Sequence, residues 1–423
     1  MKTGFNQEVV NVPPGQVVKI GLIDADLLNN GTRHPNLALL KISGYCKSLG
    51  HDVRLICDYD ELRGDTAYDV LAMSKVFKFT DVPEDVLRMI ENDEIFVGGT
   101  GFFEVNGPVL SDEVEHSMPD YHLYDEYIEK QTGGDPQKLK KWSDYLNFSI
   151  GFTTRGCIRQ CGFCVNRLSK RVERWSPVSE FYDPSRPKIY LWDDNIMAAP
   201  PKVFNEVMSE LKETGRYFQF RQGLDIRLMT EEKAKLLADV NYYGDYIFAF
   251  DHYRLDDPKE KREVDATVRG LKIWRDNCDQ HTKLYVLVAY DSLDLSDIIG
   301  TFYRIRIIME YGCWPYIMRF EKYKESEFKD MYTQLARWCN QPSFFKKTSF
   351  REFCIRNEEI HQGLNLIYDR KTYRQELVFP EGFKRKEHGI CYRTMKNFEE
   401  RFPEVAKEYF DLRYEDVKRY KVR

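Results

Sequence analysis

A chain of 423 residues is long enough for two or three domains with buried cores. Its 42% hydrophobic and 14% aromatic content is that of an ordinary globular protein, and its net charge of −5, from nearly balanced signs, leaves no global polycation to argue for nucleic acid. No apolar signal-peptide core follows Met1, and no stretch approaches the ~20 apolar residues of a membrane span, so a cytoplasmic location is expected. Seven of the ten cysteines (Cys46, Cys57, Cys278, Cys313, Cys339, Cys354 and Cys391) are dispersed singly, which suits a reducing compartment better than a disulfide framework.

In chain order, Val18-Lys-Ile-Gly-Leu-Ile23 is an apolar run ending in Asp24-Ala-Asp26. It reads as a buried parallel strand that opens into a loop over residues 24–36. Leu37, Leu40, Ile42 and Tyr45 then recur at helical spacing, with Gly50 as a stop. Residues 52–57, 69–73 and 94–97 read as further strands. Strand and helix in alternation predict a doubly wound parallel sheet, here a Rossmann-like first domain over residues 1–130. Ligands of such sheets bind outside the carboxyl ends of the strands, which directs attention to residues 24–36. Residues 126–145 read as a connection, with a turn at Gln131-Thr-Gly-Gly-Asp-Pro136 and a solvated face at Lys138, Lys140 and Lys141.

Residues 147–152 read as the first strand of a second domain and deliver Arg155-Gly-Cys157-Ile-Arg-Gln-Cys161-Gly-Phe163-Cys164 at its carboxyl end, where parallel β/α architectures keep their chemistry. Cysteines at i, i+4 and i+7 provide three thiolates. A structural iron–sulfur cluster takes four, so three leave one iron open for chemistry. A zinc site, the bland alternative, wants four closed ligands in paired short spacings, which this loop does not supply. The spacing resembles the signature of the radical S-adenosylmethionine (radical SAM) enzymes. That resemblance implies a 4Fe-4S cluster on Cys157, Cys161 and Cys164, S-adenosylmethionine chelated to the open iron, Phe163 beside the adenine, and an electron donor of the flavodoxin or ferredoxin kind.

Four more strands follow, at residues 188–192, 217–229, 245–250 and 283–290, and one more at 315–320. Together with the first they predict the partial (β/α)6 barrel of that superfamily over residues 146–325. The resemblance implies that Asp193 and Asp194 replace the usual acceptor of the SAM ammonium, and that Asp251 stands for the ribose-binding carboxylate. Reading residues 217–229 as a strand puts Gln222, Leu224, Ile226 and Leu228 on one face and Asp225 with Arg227 on the other. Arg227 then either forks the SAM carboxylate or pairs with Asp225, since an unpaired buried charge is costly. Gln222, Asp225 and Arg227 join the candidate cofactor residues. His252, at a strand end, is a candidate second-layer residue or proton carrier.

The first domain resembles the cobalamin-binding module found ahead of many radical SAM cores. In that module an Asp-x-His-x-x-Gly motif supplies the lower cobalt ligand. The string here is Asp24-Ala-Asp26-Leu-Leu-Asn29, with aspartate in place of histidine, and His34 comes later. Cobalamin is therefore a secondary expectation. Together with Pro35-Asn-Leu-Ala-Leu39, Gly98-Gly-Thr-Gly101 and Pro119-Asp-Tyr121, the chain looks like an uncharacterised radical SAM family of bacterial and phage mobile elements. Such a likeness speaks to the cofactor and leaves the substrate unknown.

The C-terminal region, 326–423, reads as mostly helical, with pieces near 325–338 and 393–419. Phe344-Phe-Lys-Lys-Thr-Ser-Phe350-Arg351 and Phe383-Lys-Arg-Lys386 read either as a nucleic-acid contact or as core aromatics under a charged surface. The reading as a whole is an enzyme that cleaves SAM reductively and abstracts hydrogen from an unknown substrate. Its rivals are a cobalamin-dependent methyltransferase, a nucleic-acid-modifying radical SAM enzyme and a non-enzymatic metal protein. A methylthiotransferase would need a second three-cysteine cluster, which Cys46 and Cys57 cannot form.

Overall fold

The apolar runs of the first hundred residues become strands because they are covered on both faces. In this computed structural model, which describes residues 2–3, 16–63, 68–103, 107–166, 169–361, 365–368, 375–378 and 388–422, the strands are β1 (Lys19–Asp24), β2 (Asp52–Leu55), β3 (Val70–Ser74) and β4 (Ile95–Gly98). They form one parallel sheet in the order β2-β1-β3-β4, with Leu22 opposite Leu55 and Ala72. Ile20 and Leu22 pack in one cluster with Leu39 and Leu40 of the helix Leu37–Ser48. Ile23 and Met73 pack in another with Val86 and Ile90 of the helix Glu84–Glu91. Each fully buried aliphatic side chain of this kind contributes on the order of 1.5–3 kcal/mol.

Residues 24–36 are less open than their sequence suggests. Asp24 caps a short helix, Ala25–Asn30, by accepting a hydrogen bond from the Leu27 amide at 3.1 Å. Its other oxygen accepts from the Tyr124 hydroxyl at 2.8 Å. Burial pushes the Asp24 carboxyl up to about 6, against the lowering effect of those hydrogen bonds. A raised folded-state pKa means that the native fold holds this proton more tightly than the unfolded chain does. The resulting stabilisation is complete below the ordinary value of 3.8 and is lost as pH rises through about 6. Asp24→Asn keeps the cap and removes the charge. It is expected to raise stability at pH 8 by up to about 3 kcal/mol and to flatten the stability profile between those two values. Urea midpoints at pH 5 and pH 8 measure it, and identical pH profiles for both proteins would refute the assignment.

β5 (Phe148–Gly151) follows a run of short helices. A two-residue antiparallel ladder of β6 (Thr154–Arg155) with β7 (Glu173–Arg174) comes next. β5, β8 (Lys188–Leu191) and β9 (Tyr217–Phe220) form a parallel sheet with β8 central. The helix Pro201–Glu213 buries Phe204, Val207, Met208 and Leu211, as its periodicity predicts.

The chain divides into two compact units, Met1–Arg221 with Asn241–Tyr243 and Gln222–Val240 with Gly244–Arg423. All the elements above belong to the first. In the second, β10 (Tyr246–Ala249), β11 (Thr282–Val288) and β12 (Trp314–Arg319) form a parallel sheet with β11 central. The helix Pro258–Asn277 buries Trp274 edge-on against Tyr246 and Phe248. The helices Leu295–Glu310, Lys329–Cys339, Phe350–His361 and Ile390–Arg401 follow, with a short antiparallel pair, β13 (Asn365–Tyr368) and β14 (Gln375–Val378). The protein is thus a mixed α/β chain with parallel sheets. Among the described residues no helix is long and apolar enough to cross a membrane.

Residues 217–229 depart from the expected single strand. β9 ends at Phe220, Leu224 touches Phe248 through one isolated bridge, and Ile226–Leu228 is a turn of 3₁₀ helix. Burial accordingly runs through Leu224, Asp225 and Ile226 in succession instead of alternating, and Gln222 is exposed. The cause lies in the neighbouring helix. Gly270 packs so closely that a Cβ there would lie 2.0 Å from the Ile226 carbonyl oxygen.

Candidate functional site: the three-cysteine loop

The loop is built from its base upward. The β6–β7 ladder pairs Thr154 with Arg174 and Arg155 with Glu173, closing the loop below its first cysteine. Gly156 leaves the ladder at φ +98°, and a Cβ there would lie 1.8 Å from the Arg171 carbonyl oxygen, so only glycine fits. The Cys157 amide then donates to the Ser169 carbonyl at 3.3 Å, and the Cys164 amide to the Cys161 carbonyl at 3.0 Å.

The sulfurs receive N–H groups. Cys157 Sγ accepts from the Arg159 amide and from Asn195 Nδ2, each at 3.4 Å, and Cys164 Sγ accepts from the Asn166 amide at 3.4 Å. Cys157, Cys161 and Cys164 are half-buried, and Phe163 is exposed between the last two. Among the described residues no group of three His, Cys, Asp or Glu side chains is placed to hold a metal ion.

Asp193 and Asp194 brace this loop. Asp193 is buried and accepts four hydrogen bonds, from the amides and hydroxyls of Thr153 and Thr154, at 2.6 to 3.1 Å. Burial pushes its carboxyl upward despite those donors. Asp194 accepts from the Gly156 amide at 2.7 Å and from the Asn166 side chain, so it ties together the residues just before the first cysteine and just after the last. Asn195, the next residue, is 5% exposed, and among the described residues its Oδ1 has no hydrogen-bond partner. Sequence reasoning missed Asn195, although Asp-Asp-Asn at a strand end places it there; a buried amide with one unmet atom costs on the order of 1–3 kcal/mol unless something fills the need.

Gln222, Asp225, Arg227 and Asp251 belong to the second unit. Arg227 Nε donates to Asp225 at 2.6 Å, and Nη1 to Glu263 at 2.8 Å and to His252 Nε2 at 2.9 Å. A guanidinium cannot accept, so His252 Nε2 carries the lone pair and Nδ1–H faces Glu260 at 2.9 Å. Asp251 accepts from the Leu287 amide at 3.3 Å, and burial raises its carboxyl. The sheet-end carbonyls of Phe250, Asp251 and Leu287 are gathered by the fully buried Arg304.

The position aligned with a cobalt-binding histidine does not suit that role. Asp26 is buried and accepts from the amides of Val76 at 2.6 Å and Phe77 at 3.2 Å and from the Thr80 hydroxyl, so it pins the segment after β3. His34 Nε2 faces Arg221 at 3.1 Å, and its Nδ1 lies 2.9 Å from Asp144. Asp26 carries no side-chain nitrogen and is spent on its three donors, while His34 Nε2 already faces Arg221.

In the C-terminal region Phe345 and Phe350 are fully buried against Trp338, and Arg351 is spent on Glu399 and Asp411. Within the first aromatic–basic string these two phenylalanines are therefore core and Arg351 is paired, while Phe344 is half-buried and Lys347 exposed; the second string, residues 383–386, lies outside the described residues. The fold also brings the buried Cys354 and Cys391 to within 3.5 Å, a convergence their separation in sequence conceals.

The sequence matches no protein-family model, and no curated protein matches it.

Proposed function

We propose that the chain is a radical SAM enzyme, with a Rossmann-like N-terminal module, a partial (β/α)6 barrel and a helical C-terminal region. One observation carries the reading: three thiols at i, i+4 and i+7 on a loop after a parallel strand, with the unmet Asn195 oxygen buried beside the first. By chemistry, though not by their present placement, the three donors suit a thiophilic cluster. Three soft sulfurs, with N–H groups donated to those of Cys157 and Cys164, suit iron–sulfur ligation, where such hydrogen bonds tune the cluster. Cys157, Cys161 and Cys164 would hold it.

When bound, a 4Fe-4S cluster with one open iron supplies the electron that cleaves SAM to methionine and a 5′-deoxyadenosyl radical. The remaining work falls to the chain. Asp193 and Asp194 brace the loop through three backbone amides, two hydroxyls and the Asn166 side-chain amide. Asn195 Oδ1 is positioned to accept a hydrogen bond from an ammonium brought next to Cys157. Phe163 offers an exposed ring to a flat base. Transfer of the first electron would call for a flavodoxin- or ferredoxin-like donor, and hydrogen abstraction from the unknown substrate would yield 5′-deoxyadenosine and a substrate radical.

Anaerobic reconstitution with iron and sulfide, followed by strong reductant and SAM, tests the proposal through 5′-deoxyadenosine. A loaded cluster that never cleaves SAM would leave a metal-binding protein of another kind. Asn195→Leu is the finer probe. Iron content should stay near that of the unaltered protein, while SAM affinity falls ~10-fold or more, the worth of one charge-assisted hydrogen bond. Equal SAM affinity in the two proteins would remove Asn195 from the site.

A further inference from the structure

A cavity of about 460 Å³ opens in the first unit at the carboxyl end of β1, walled by the start of the helix Leu37–Ser48, the segment after β3, and Phe152, Arg155 and Trp192. Its lining is largely apolar, with Leu37, Val76, Phe77, Leu110, Phe152 and Trp192 prominent. A second cavity of about 350 Å³ over β3 and β4 shares Asn36, Ala38, Val76 and Leu110 with it. Phe77, which lines the first cavity, stacks at 5.1 Å on Phe79, and the two stay 45% and 70% exposed.

The charged groups of the wall are nearly all answered. Asp24 holds Tyr124 and Leu27, Asp26 its three donors, and Lys41 pairs with Glu115 at 2.8 Å. Glu115 also receives the Trp175 indole at 3.1 Å, and Arg33 and His34 face Asp144. Arg155 differs. Its guanidinium lies 3.7 Å over the Phe152 ring and 5.7 Å from that of Trp175, and among the described residues it has neither a carboxylate nor a hydrogen-bond acceptor. Two aromatic faces fix its direction while five N–H donors go unused. A half-buried guanidinium, held by stacking in an apolar cavity, is a group waiting for an anion.

We propose that this cavity binds an amphipathic organic anion, whose apolar body lies among Leu37, Val76, Phe77 and Trp192 and whose carboxylate or phosphate pairs with Arg155. The site is independent of the iron–sulfur reading and exists in the iron-free protein. If both readings hold, the ligand lies beside the cysteine loop, which leaves its ladder just after Arg155.

The test uses the full chain without iron and a fluorescent amphipathic anion, anilinonaphthalene sulfonate, with the neutral N-phenylnaphthylamine as its partner. Saturable binding near one equivalent is expected for both. Arg155→Met should weaken the sulfonate ~10- to 100-fold and leave the neutral compound within about twofold, whereas Arg155→Lys retains much of the difference. Ala38→Trp, which fills the shared wall from a partly exposed position, should exclude both probes. Displacement by naphthoate or by naphthyl phosphate then tells which anion is preferred. The proposal is overturned if Arg155→Met with an unchanged melting temperature binds the sulfonate as tightly as the parent, if Ala38→Trp binds both probes normally, or if neither competitor displaces the sulfonate.

Discussion

Replacing Cys164 by alanine is expected to bring iron and sulfide after anaerobic reconstitution to near zero, together with the brown absorbance and all 5′-deoxyadenosine formation. In the proposed site two thiolates would not hold a cubane whose fourth iron would already lack a protein ligand. The loop itself should survive, because its base is held by the β6–β7 ladder and by Asp193 and Asp194. Cys57→Ala is the matched control. Cys57 is also half-buried, but its thiol faces the Leu55 carbonyl at the end of β2, so iron loading should be unchanged. Undiminished iron in Cys164→Ala would take this cysteine out of the ligand set, and zinc in place of iron in the parent would point to a structural metal.

Arg227→Ala is expected to destabilise the second unit by about 3–5 kcal/mol, the usual result of stripping one partner from a buried ion pair. The Asp225 side chain is 6% exposed and would be left charged without its guanidinium, while Glu263, at 28%, can recover some hydration. The double variant Asp225→Ala with Arg227→Ala removes both buried charges and should regain much of that loss. SAM affinity is the discriminating readout. With Nε on Asp225 and Nη1 shared between Glu263 and His252, Arg227 is committed within its own unit, so affinity should change less than about threefold while the melting temperature falls. The opposite pattern, a large loss of SAM binding at an unchanged melting temperature, would make Arg227 a ligand-binding residue.

Much of the local structure was legible. Continuous apolar runs at residues 18–23 and 94–97 announced strands covered on both faces, and Thr230 announced its helix by capping the Lys233 amide. The helix Leu37–Ser48 and the turn at Gly133-Gly134, both at positive φ, follow from spacing and composition. Reading failed where a single neighbour overrode periodicity. Residues 217–229 alternate well enough for a strand, but the close approach of Gly270 turns Ile226–Leu228 into a helical turn.

The candidate site divides along the same line. That three thiols lie within one loop after a strand is a matter of spacing along the chain, and the sequence alone determined it. Partners distant in sequence were a different matter, because strand pairing and helix packing choose them and neither is written in local pattern. Asn195 meets Cys157 across 38 residues because β5 and β8 are neighbours in their sheet. Arg227 meets Glu263 across 36 because the helix Pro258–Asn277 lies against the turn that carries it. Asp193 and Asp194 became loop braces by the same means, since the ends of β5 and β8 bring Thr153, Thr154 and Gly156 within their reach. Only the tertiary structure could decide these roles: a carboxylate's chemistry is set by which donors surround it, and those donors come from elsewhere in the chain.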